Sequence, residues 1–279
     1  MKIKVAKNSG FCFGVKRAVN ISLETTKLKE KVVTFGPIIH NPQMVSYLKK
    51  CGVGFVNEID DIVDETVIIR SHGITAQDYK KLLKKRVEIV DATCPIVKKA
   101  QDFAKKLTQD GFRLVILGEK NHPEVKALLS YVDDNAIVIS GPEKKISLQE
   151  NQKIGLIAQT TQIEEKFEQL AVRLLKSCKE LYVVKTICNA TFIRQAETKE
   201  LAKNVDVLFV VGGKNSANTA RLAEIARAEN CKTYHIETAA EIEEKSLKNI
   251  NYLGIAGGAS TPDWIIEDVK RRIKKIKKT

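Results

Sequence analysis

The sequence repeats one pattern three times, and this repeat constrains the possible folds more than any other feature. Each copy has a short β-branched run, then a cysteine, then the basic start of a helical segment; the cysteines are Cys12, Cys94 and Cys188. A second apolar run follows and leads to a polar residue 28 positions after each cysteine, at His40, His122 and Ser216. The same spacing in three copies indicates that the three cysteines occupy equivalent structural positions.

Each copy has a third element, a strand-like run that ends in small polar residues before a further helix. His72, Thr160 and Ser260 lie there, 60, 66 and 72 residues after their cysteines. Alternating strands and amphipathic helices are typical of parallel sheets covered by helices. We therefore expect an α/β fold of three pseudo-threefold-related lobes with mostly parallel sheets, arranged as a trefoil around a central site. The expected lobes are residues 14–94, 95–188 and 189–279, with residues 1–13 completing the third sheet.

The polar residues of the repeat all follow the carboxyl ends of predicted strands, where parallel sheets place their functional groups. Three such edges around one axis would bring the three cysteines to a common cavity. Three thiolates suit either a tetrahedral zinc with one open position or an iron–sulfur cluster with one iron that lacks a protein ligand. Neither paired C-x-x-C motifs nor the closely spaced cysteine runs of ferredoxins occur in the chain.

Composition narrows the class of protein. The chain of 279 residues has 43% hydrophobic residues, enough to form a core. It has no apolar run of membrane-spanning length, and its first residues do not resemble a signal peptide, so we expect a cytoplasmic protein with no membrane partner. Disulfides are rare in that compartment, and we interpret the remaining cysteines, Cys51, Cys178 and Cys231, as small buried residues.

The formal net charge of +13 would attract nucleic acid, acidic membranes, acidic proteins or phosphate compounds alike. Much of the excess lies in residues 270–278, which we interpret as the end of a helix continuing into a solvated tail. With one Trp and 6% aromatic residues, the chain has few groups on which bases could stack, so a nucleic-acid partner is not expected.

Polar side chains of the repeat form a candidate anion site. Imidazole, hydroxyl and amide groups can all donate hydrogen bonds to phosphate oxygens. The candidates are His40, His72, His122, Thr160, Ser216, Asn218 and Ser260. Taken singly, each hydroxyl could instead cap a helix. The fourth histidine, His235, lies outside the repeat pattern and is predicted to be structural.

Glu124 is the one carboxylate among the second-element sites, in the segment His122-Pro123-Glu124. A carboxylate beside an anion site would repel the ligand unless it were protonated or turned away, so its position suggests proton delivery. The alternative is an acidic residue that stabilises the first turn of its helix. Within the ring of polar groups, Glu124 is the candidate general acid.

Nine ordered motifs spread over nearly the whole chain closely resemble those of the 4-hydroxy-3-methylbut-2-enyl diphosphate reductase family. They are GFC12FGVKRA, GPIIH40NP, RSH72G, DATC94P, NH122PE124, QT160T, TIC188NAT, KNS216AN218 and AS260TPD. The resemblance implies reductive removal of the allylic hydroxyl of 4-hydroxy-3-methylbut-2-enyl diphosphate, which gives isopentenyl and dimethylallyl diphosphates in the non-mevalonate pathway of isoprenoid synthesis.

The resemblance also implies the site residues. A [4Fe–4S] cluster would be held by Cys12, Cys94 and Cys188, leaving one iron open to the substrate. Glu124 and Thr160 would take part in proton transfer, and Thr160 would also line the substrate site. The diphosphate would be held by His40, His72, His122, Ser216, Asn218 and Ser260. An acidic electron donor, ferredoxin or flavodoxin, is implied as partner, and a monomer is the expected state.

The chain departs from the family pattern at Ala217, where many relatives have serine, so one hydroxyl that could contact the substrate is missing. Three other classes remain open from the residues themselves. A non-redox iron–sulfur hydro-lyase would need no reductant, a zinc hydrolase would contain no iron or sulfide, and a basic nucleic-acid-binding protein would not depend on the three cysteines.

Overall fold

The computed structural model describes residues 1–133, 136–148, 152–229 and 232–277, in which most strands are followed by a helix. The strands are β1 (Lys2–Val5), β2 (Val32–Phe35), β3 (Val53–Val56), β4 (Thr66–Ile69), β5 (Ile89–Asp91), β6 (Arg113–Leu117), β7 (Ala136–Ile139), β8 (Lys153–Ala158), β9 (Glu180–Val183), β10 (Val207–Val211), β11 (Lys232–Ile236) and β12 (Tyr252–Gly257).

The α-helices are α1 (Phe13–Leu28), α2 (Pro42–Lys50), α3 (Ala76–Lys85), α4 (Pro95–Gln109), α5 (Pro123–Ser130), α6 (Glu164–Leu175), α7 (Asn189–Lys203), α8 (Ala217–Ala228) and α9 (Asp263–Ile276). Short 3₁₀ turns cover Ile59–Asp61, Ala239–Glu241 and Glu244–Leu247. Within the described ranges, no helix is both long enough and apolar enough to cross a membrane.

The strands form three parallel four-stranded sheets with one common order. The orders are β3-β2-β4-β5, β7-β6-β8-β9 and β11-β10-β12-β1. In the third sheet the N-terminal strand takes the edge position that β5 and β9 hold in the other two, pairing Lys2 with Tyr252 and Val5 with Ile255. The predicted α/β fold with three parallel-sheet lobes is confirmed.

The inner strands are continuous apolar runs because helices cover both faces of a parallel sheet. All side chains of β4 (TVII) and β10 (VLFVV) are buried, as are Leu114–Leu117 of β6. Helices pack against these strands through their apolar stripes, as α9 does with Ile265, Ile266, Val269 and Ile273. The basic residues of α9 lie on its other face, where Lys270 pairs with Glu267. The helix ends at Ile276, and Lys278, the last residue of the predicted tail, lies outside the described residues.

The chain divides into two compact units. The terminal unit consists of Met1–Val15, His40–Ser46 and Asn189–Thr279 and contains the sheet of β10, β11, β12 and β1. The internal unit consists of Lys16–Ile39 and Tyr47–Cys188 and contains the other two sheets. The lobe boundaries expected from the repeat stay predictions.

Candidate functional site

The three repeat cysteines are held by equivalent backbone hydrogen bonds. Each follows the edge strand of a sheet, and its N–H donates to a carbonyl in the loop after the neighbouring strand. The bonds are Cys12 to Ala259 (3.0 Å), Cys94 to Ser71 (2.9 Å) and Cys188 to Thr160 (2.9 Å). All three side chains are partly exposed. The equivalence expected from the 28-residue spacing is therefore present in the backbone.

Each of these cysteines lies at the N-terminal end of a helix. Cys94 is the N-cap of α4, with Pro95 in the first turn, and Cys188 directly precedes α7. Cys12 precedes α1, and its Sγ accepts a hydrogen bond from the Val15 N–H at 3.5 Å. The positive end of a helix dipole favours negatively charged sulfur, the form in which cysteine binds iron or zinc. The chemistry of these residues fits a thiolate-ligated metal group.

In the internal unit, Glu124 and Thr160 form a buried two-point clamp. The Thr160 N–H donates to Glu124 Oε1 at 2.7 Å, and the Thr160 hydroxyl donates to Oε2 at 2.8 Å. The clamp joins the first turn of α5 to the loop after β8, the same loop whose Thr160 carbonyl accepts from the Cys188 N–H. The predicted acid and the predicted metal ligand Cys188 are thus linked through one residue.

Burial controls the ionisation of Glu124. The residue is 1% exposed, and loss of hydration raises the pKa of its carboxyl to about 7, although both hydrogen bonds from Thr160 act to lower it. Near neutral pH the carboxyl is therefore divided between its protonated and ionised forms. A group in that state can donate a proton and can accept one back.

His122 and His72 also belong to the internal unit, and their rings meet edge to face with centroids 5.6 Å apart. His122 is the N-cap of α5, where Nδ1 accepts the Glu124 N–H at 3.2 Å. We infer from this bond that the proton of the neutral ring sits on Nε2, which is then a donor. His72 follows Ser71, the residue that accepts the Cys94 N–H.

In the terminal unit, the structure brings Ser216, Ser260 and the backbone of His40 together. The Ser260 hydroxyl lies 3.3 Å from the His40 carbonyl oxygen and 3.4 Å from Ser216 Oγ. Ser216 is the N-cap of α8 and accepts the Thr219 N–H. Ser216 therefore caps a helix, Ser260 lies in a loop, and both are also predicted anion-site residues.

Two buried asparagines of the terminal unit carry polar atoms without partners in the part of the chain that the structure describes. Asn218 is 4% exposed, and both Oδ1 and Nδ2 lack a hydrogen bond. Asn41 caps α2 by accepting the Met44 N–H at 2.8 Å, but its Nδ2 has no acceptor. Buried polar atoms of this kind need a partner, and a bound anion would supply one for the amide N–H groups. Asn41 was not among the predicted site residues; its position before Pro42 at a helix start indicates a cap and nothing more.

Ala217 is the first residue of α8, so its backbone N–H has no acceptor within the helix. The serine hydroxyl is missing at this position, but the backbone N–H at the start of α8 remains as a hydrogen-bond donor.

The residues predicted to be structural have ordinary surroundings. His235 Nε2 lies 3.0 Å from the Gly212 carbonyl oxygen. Cys178 packs against the apolar core of its sheet, where burial raises the pKa of its thiol. Cys51 follows α2, and its backbone N–H donates to the Tyr47 carbonyl. Cys231 lies outside the described residues.

Comparisons with known proteins identify the family. Residues 3–274 match the family model described as LytB protein. The chain is 45% identical over 278 residues to 4-hydroxy-3-methylbut-2-enyl diphosphate reductase of Pelobacter propionicus, covering 100% of this chain and 99% of that protein. It is 46% identical to the reductase of the same name from Aquifex aeolicus, covering 98% and 96%.

Solved structures give the same result. A structure of (E)-4-hydroxy-3-methyl-but-2-enyl diphosphate reductase, the terminal enzyme of the non-mevalonate pathway, has a TM-score of 0.69 and 44% identity, and the match covers 99% of this chain and 100% of that one. The Plasmodium falciparum reductase, 24% identical, shares the fold with a TM-score of 0.90 over 98% of this chain and 87% of its own. The chain belongs to the LytB family of 4-hydroxy-3-methylbut-2-enyl diphosphate reductases.

Proposed function

We propose that the protein is an oxidoreductase that converts 4-hydroxy-3-methylbut-2-enyl diphosphate to isopentenyl and dimethylallyl diphosphates. The reaction consumes two electrons and two protons and releases the allylic hydroxyl as water. One proton leaves with the hydroxyl, and the other is added to either of two carbons of the allylic group, which explains the two products.

The buried clamp between Glu124 and Thr160 carries the proposal. Removing a hydroxyl as water requires an acid that holds its proton near neutral pH, and burial raises the pKa of Glu124 to about 7. Thr160 bonds to both carboxyl oxygens, so the carboxyl group is held at a defined place. Glu124 is therefore the proposed proton donor, and Thr160 orients its carboxyl and lines the substrate site.

The substrate's diphosphate would be bound by His40, His72, His122, Ser216, Asn218 and Ser260. The arrangement of Ser216, Ser260 and Asn218 at the start of α8 supports this role, since helix N-termini and buried amides are suited to bind phosphate oxygens. His122 would contribute its Nε2 proton. Asn41 Nδ2 is a further donor that we include in the substrate site.

The family is iron–sulfur dependent. We propose that Cys12, Cys94 and Cys188 hold a [4Fe–4S] cluster with one iron left open to the substrate. When bound, the cluster supplies the two electrons and a Lewis-acidic position for the hydroxyl. The equivalent backbone bonds of the three cysteines support this assignment, because they fix each thiol at a helix N-terminus.

The remaining parts of the proposal concern the surroundings of the enzyme. A cytoplasmic location and a monomeric state are proposed. An acidic ferredoxin or flavodoxin is the proposed electron donor, because a chain with a net charge of +13 attracts an acidic protein.

Substitution of Glu124 by Gln tests the function. The amide keeps the shape of the side chain but has no acidic proton to give. We expect turnover of the diphosphate substrate by anaerobically purified protein with a reduced viologen to fall at least about a hundredfold. Iron and sulfide content, and substrate binding measured by calorimetry, should stay at wild-type values.

Glu58→Gln is the matched control, because Glu58 is an exposed glutamate of the same unit. Wild-type turnover in Glu124→Gln would remove Glu124 from the proton path. Consumption of the diphosphate substrate without any reductant would contradict the reductase assignment and favour a hydro-lyase. Purified protein that contains zinc in place of iron and sulfide would contradict both.

A further inference from the structure

Two arginines outside the proposed catalytic and substrate-binding set bind the loops that carry cysteines. Arg194 lies in α7 and is 7% exposed. Its Nη2 donates to the Gly10 carbonyl at 3.0 Å, and its Nη1 donates to the Ala190 carbonyl at 3.0 Å. Gly10 lies two residues before Cys12, and both loop and helix belong to the terminal unit. The arginine therefore fastens the Cys12 loop to α7.

Arg17 makes the corresponding contact in the internal unit. It lies in α1, and its Nη1 donates to the Thr93 carbonyl at 3.2 Å while its Nη2 lies 3.4 Å from the Asp91 carbonyl. Thr93 directly precedes Cys94. The helix that follows one cysteine in sequence thus carries a guanidinium that binds the loop before another cysteine, and this occurs twice.

A guanidinium group is well suited to hold a backbone loop in place. A guanidinium stays charged, offers five N–H donors in a rigid plane and can bind two carbonyl oxygens at once. Each loop has a second restraint. Asn8 donates through its N–H and its amide to the Glu197 carboxylate of α7, at 2.9 and 2.6 Å. In the other loop, the Thr93 N–H donates to Asp91 Oδ1 at 2.8 Å.

The third cysteine loop has a different restraint. The Thr186 hydroxyl, two residues before Cys188, accepts from the Ala158 N–H at 2.8 Å and donates to the Ala158 carbonyl at 2.5 Å. A side chain of the loop itself supplies this restraint, continuing the pairing of β8 and β9. Cys188 serves as an internal reference, because its own N–H is held by the Thr160 carbonyl and its loop by Thr186, and neither bond involves an arginine.

We propose that Arg194 and Arg17 are positioning residues that fix Cys12 and Cys94, respectively, before metal is bound. The role of the cysteines as ligands rests on the proposed function, whereas the restraint itself is a property of the apo protein. Fixing the loops in advance reduces the conformational entropy that the chain would lose on binding a metal group.

The test is a crossed pair of variants, Arg194→Met and Arg17→Met, in apo protein, with amide hydrogen exchange measured by NMR. Methionine keeps the apolar part of the side chain and removes every donor. In Arg194→Met we expect exchange at the Cys12 amide to rise about tenfold, while the Cys94 and Cys188 amides exchange as in the wild type. In Arg17→Met the rise should occur at Cys94 alone.

Arg271→Met is the control, since Arg271 is an exposed residue that pairs with Asp268. Arg→Lys variants at both positions keep the charge and one hydrogen bond, so they should show the same crossed pattern at smaller amplitude. They also keep the test usable where a Met variant does not fold. Equal exchange in variant and wild type, or a rise at all three cysteine amides together, would overturn the proposal.

A second measurement separates this inference from the proposed function. In protein reconstituted with iron and sulfide, loss of cluster absorbance in air should be faster in both arginine variants than in Arg271→Met. Protein that binds no iron would contradict the proposed function and leave the exchange result as the test of the arginines.

Discussion

At the scale of single residues, Glu124 makes the stability of the apo protein depend on pH. Its pKa is 4.5 in an ordinary environment and about 7 when buried here. Between these values the folded state binds more protons than the unfolded state, so the free energy of unfolding decreases as pH rises from about 4.5 to 7. The contribution of this one group is about 3 kcal/mol, since each pKa unit corresponds to about 1.4 kcal/mol.

Urea denaturation of apo protein at several pH values measures this effect. Asp91 and Glu241 have the opposite effect, because the fold lowers the pKa of their carboxyls. Below about pH 4.5 they make the protein less stable as the pH falls. The comparison is therefore made from about pH 5 to 7.5. Glu124→Gln should remove most of the decrease seen in the wild type over this range. Parallel curves for the two proteins would mean that Glu124 ionises normally.

Thr160→Val tests the other half of the clamp. Valine has nearly the same shape but no hydroxyl, so Glu124 Oε2 loses a donor while the backbone bond to Oε1 remains. Because the lost hydrogen bond lowered the pKa, the pKa of Glu124 should rise above about 7. The alkaline side of the kcat profile should shift to higher pH, with a loss of kcat of about tenfold from poorer orientation. An unshifted profile would assign the alkaline limb to another group.

A site residue could be predicted from the sequence where its role shows in the residues beside it, and not where the role depends on a contact with a distant part of the chain. Glu124 stood out because it was the one carboxylate in a pattern of neutral donors. The family resemblance placed Thr160 beside it in proton transfer, but the contact could not be derived from the residues themselves, since it spans 36 residues and depends on how two loops pack. Arg17 and Arg194 belong to the basic helical starts of the repeat, but their role could not be inferred, because their acceptors are backbone carbonyls 76 and 184 residues away. Asn41 resembled a helix cap, which it is.

At the scale of elements, the repeat predicted three parallel sheets because strands that alternate with helices pair in parallel, although it did not predict the order of the strands. The unusual feature, an edge strand of the third sheet supplied by the N-terminus, followed from treating β1 as equivalent to β5 and β9. The sequence pattern could not predict where one loop packs closely against another. Gly213 is such a case, because a Cβ placed there would lie 2.5 Å from the His40 carbonyl oxygen.

Gly213→Ala should therefore displace the His40 segment. The obstacle is a backbone atom and cannot rotate away, so we expect a loss of stability of roughly 1–3 kcal/mol and a KM for the diphosphate substrate several-fold above that of the wild type. Thermal unfolding and steady-state kinetics measure the two effects. Gly54→Ala is the control, since its nearest neighbour is a side-chain carbon of Val33 at 3.4 Å. A wild-type KM in Gly213→Ala would show that His40 is not displaced.

At the scale of the whole molecule, the net charge of +13 acts on association, whereas the fold depends on the buried runs of the sheets. Many lysines are in surface ion pairs, such as Lys31 with Asp64 and Lys153 with Glu180, and such pairs contribute little to stability. The excess charge is therefore available to attract partners of opposite sign. In the proposed reaction the anionic substrate and an acidic electron donor both fit this role.

Salt should separate these two contributions. Attraction between a basic enzyme and an acidic donor is screened over about 10 Å at 0.1 M salt, so kcat/KM for reduced flavodoxin should fall several-fold between roughly 0.02 and 0.3 M NaCl. With a reduced viologen as donor no such attraction exists, and any decline then reports weaker binding of the diphosphate substrate. A saturating concentration of the diphosphate substrate removes the effect of salt on substrate binding. If the flavodoxin-supported rate at saturating substrate were independent of salt, the net charge would play no part in recognising the donor, and the donor site would have to be sought among apolar contacts.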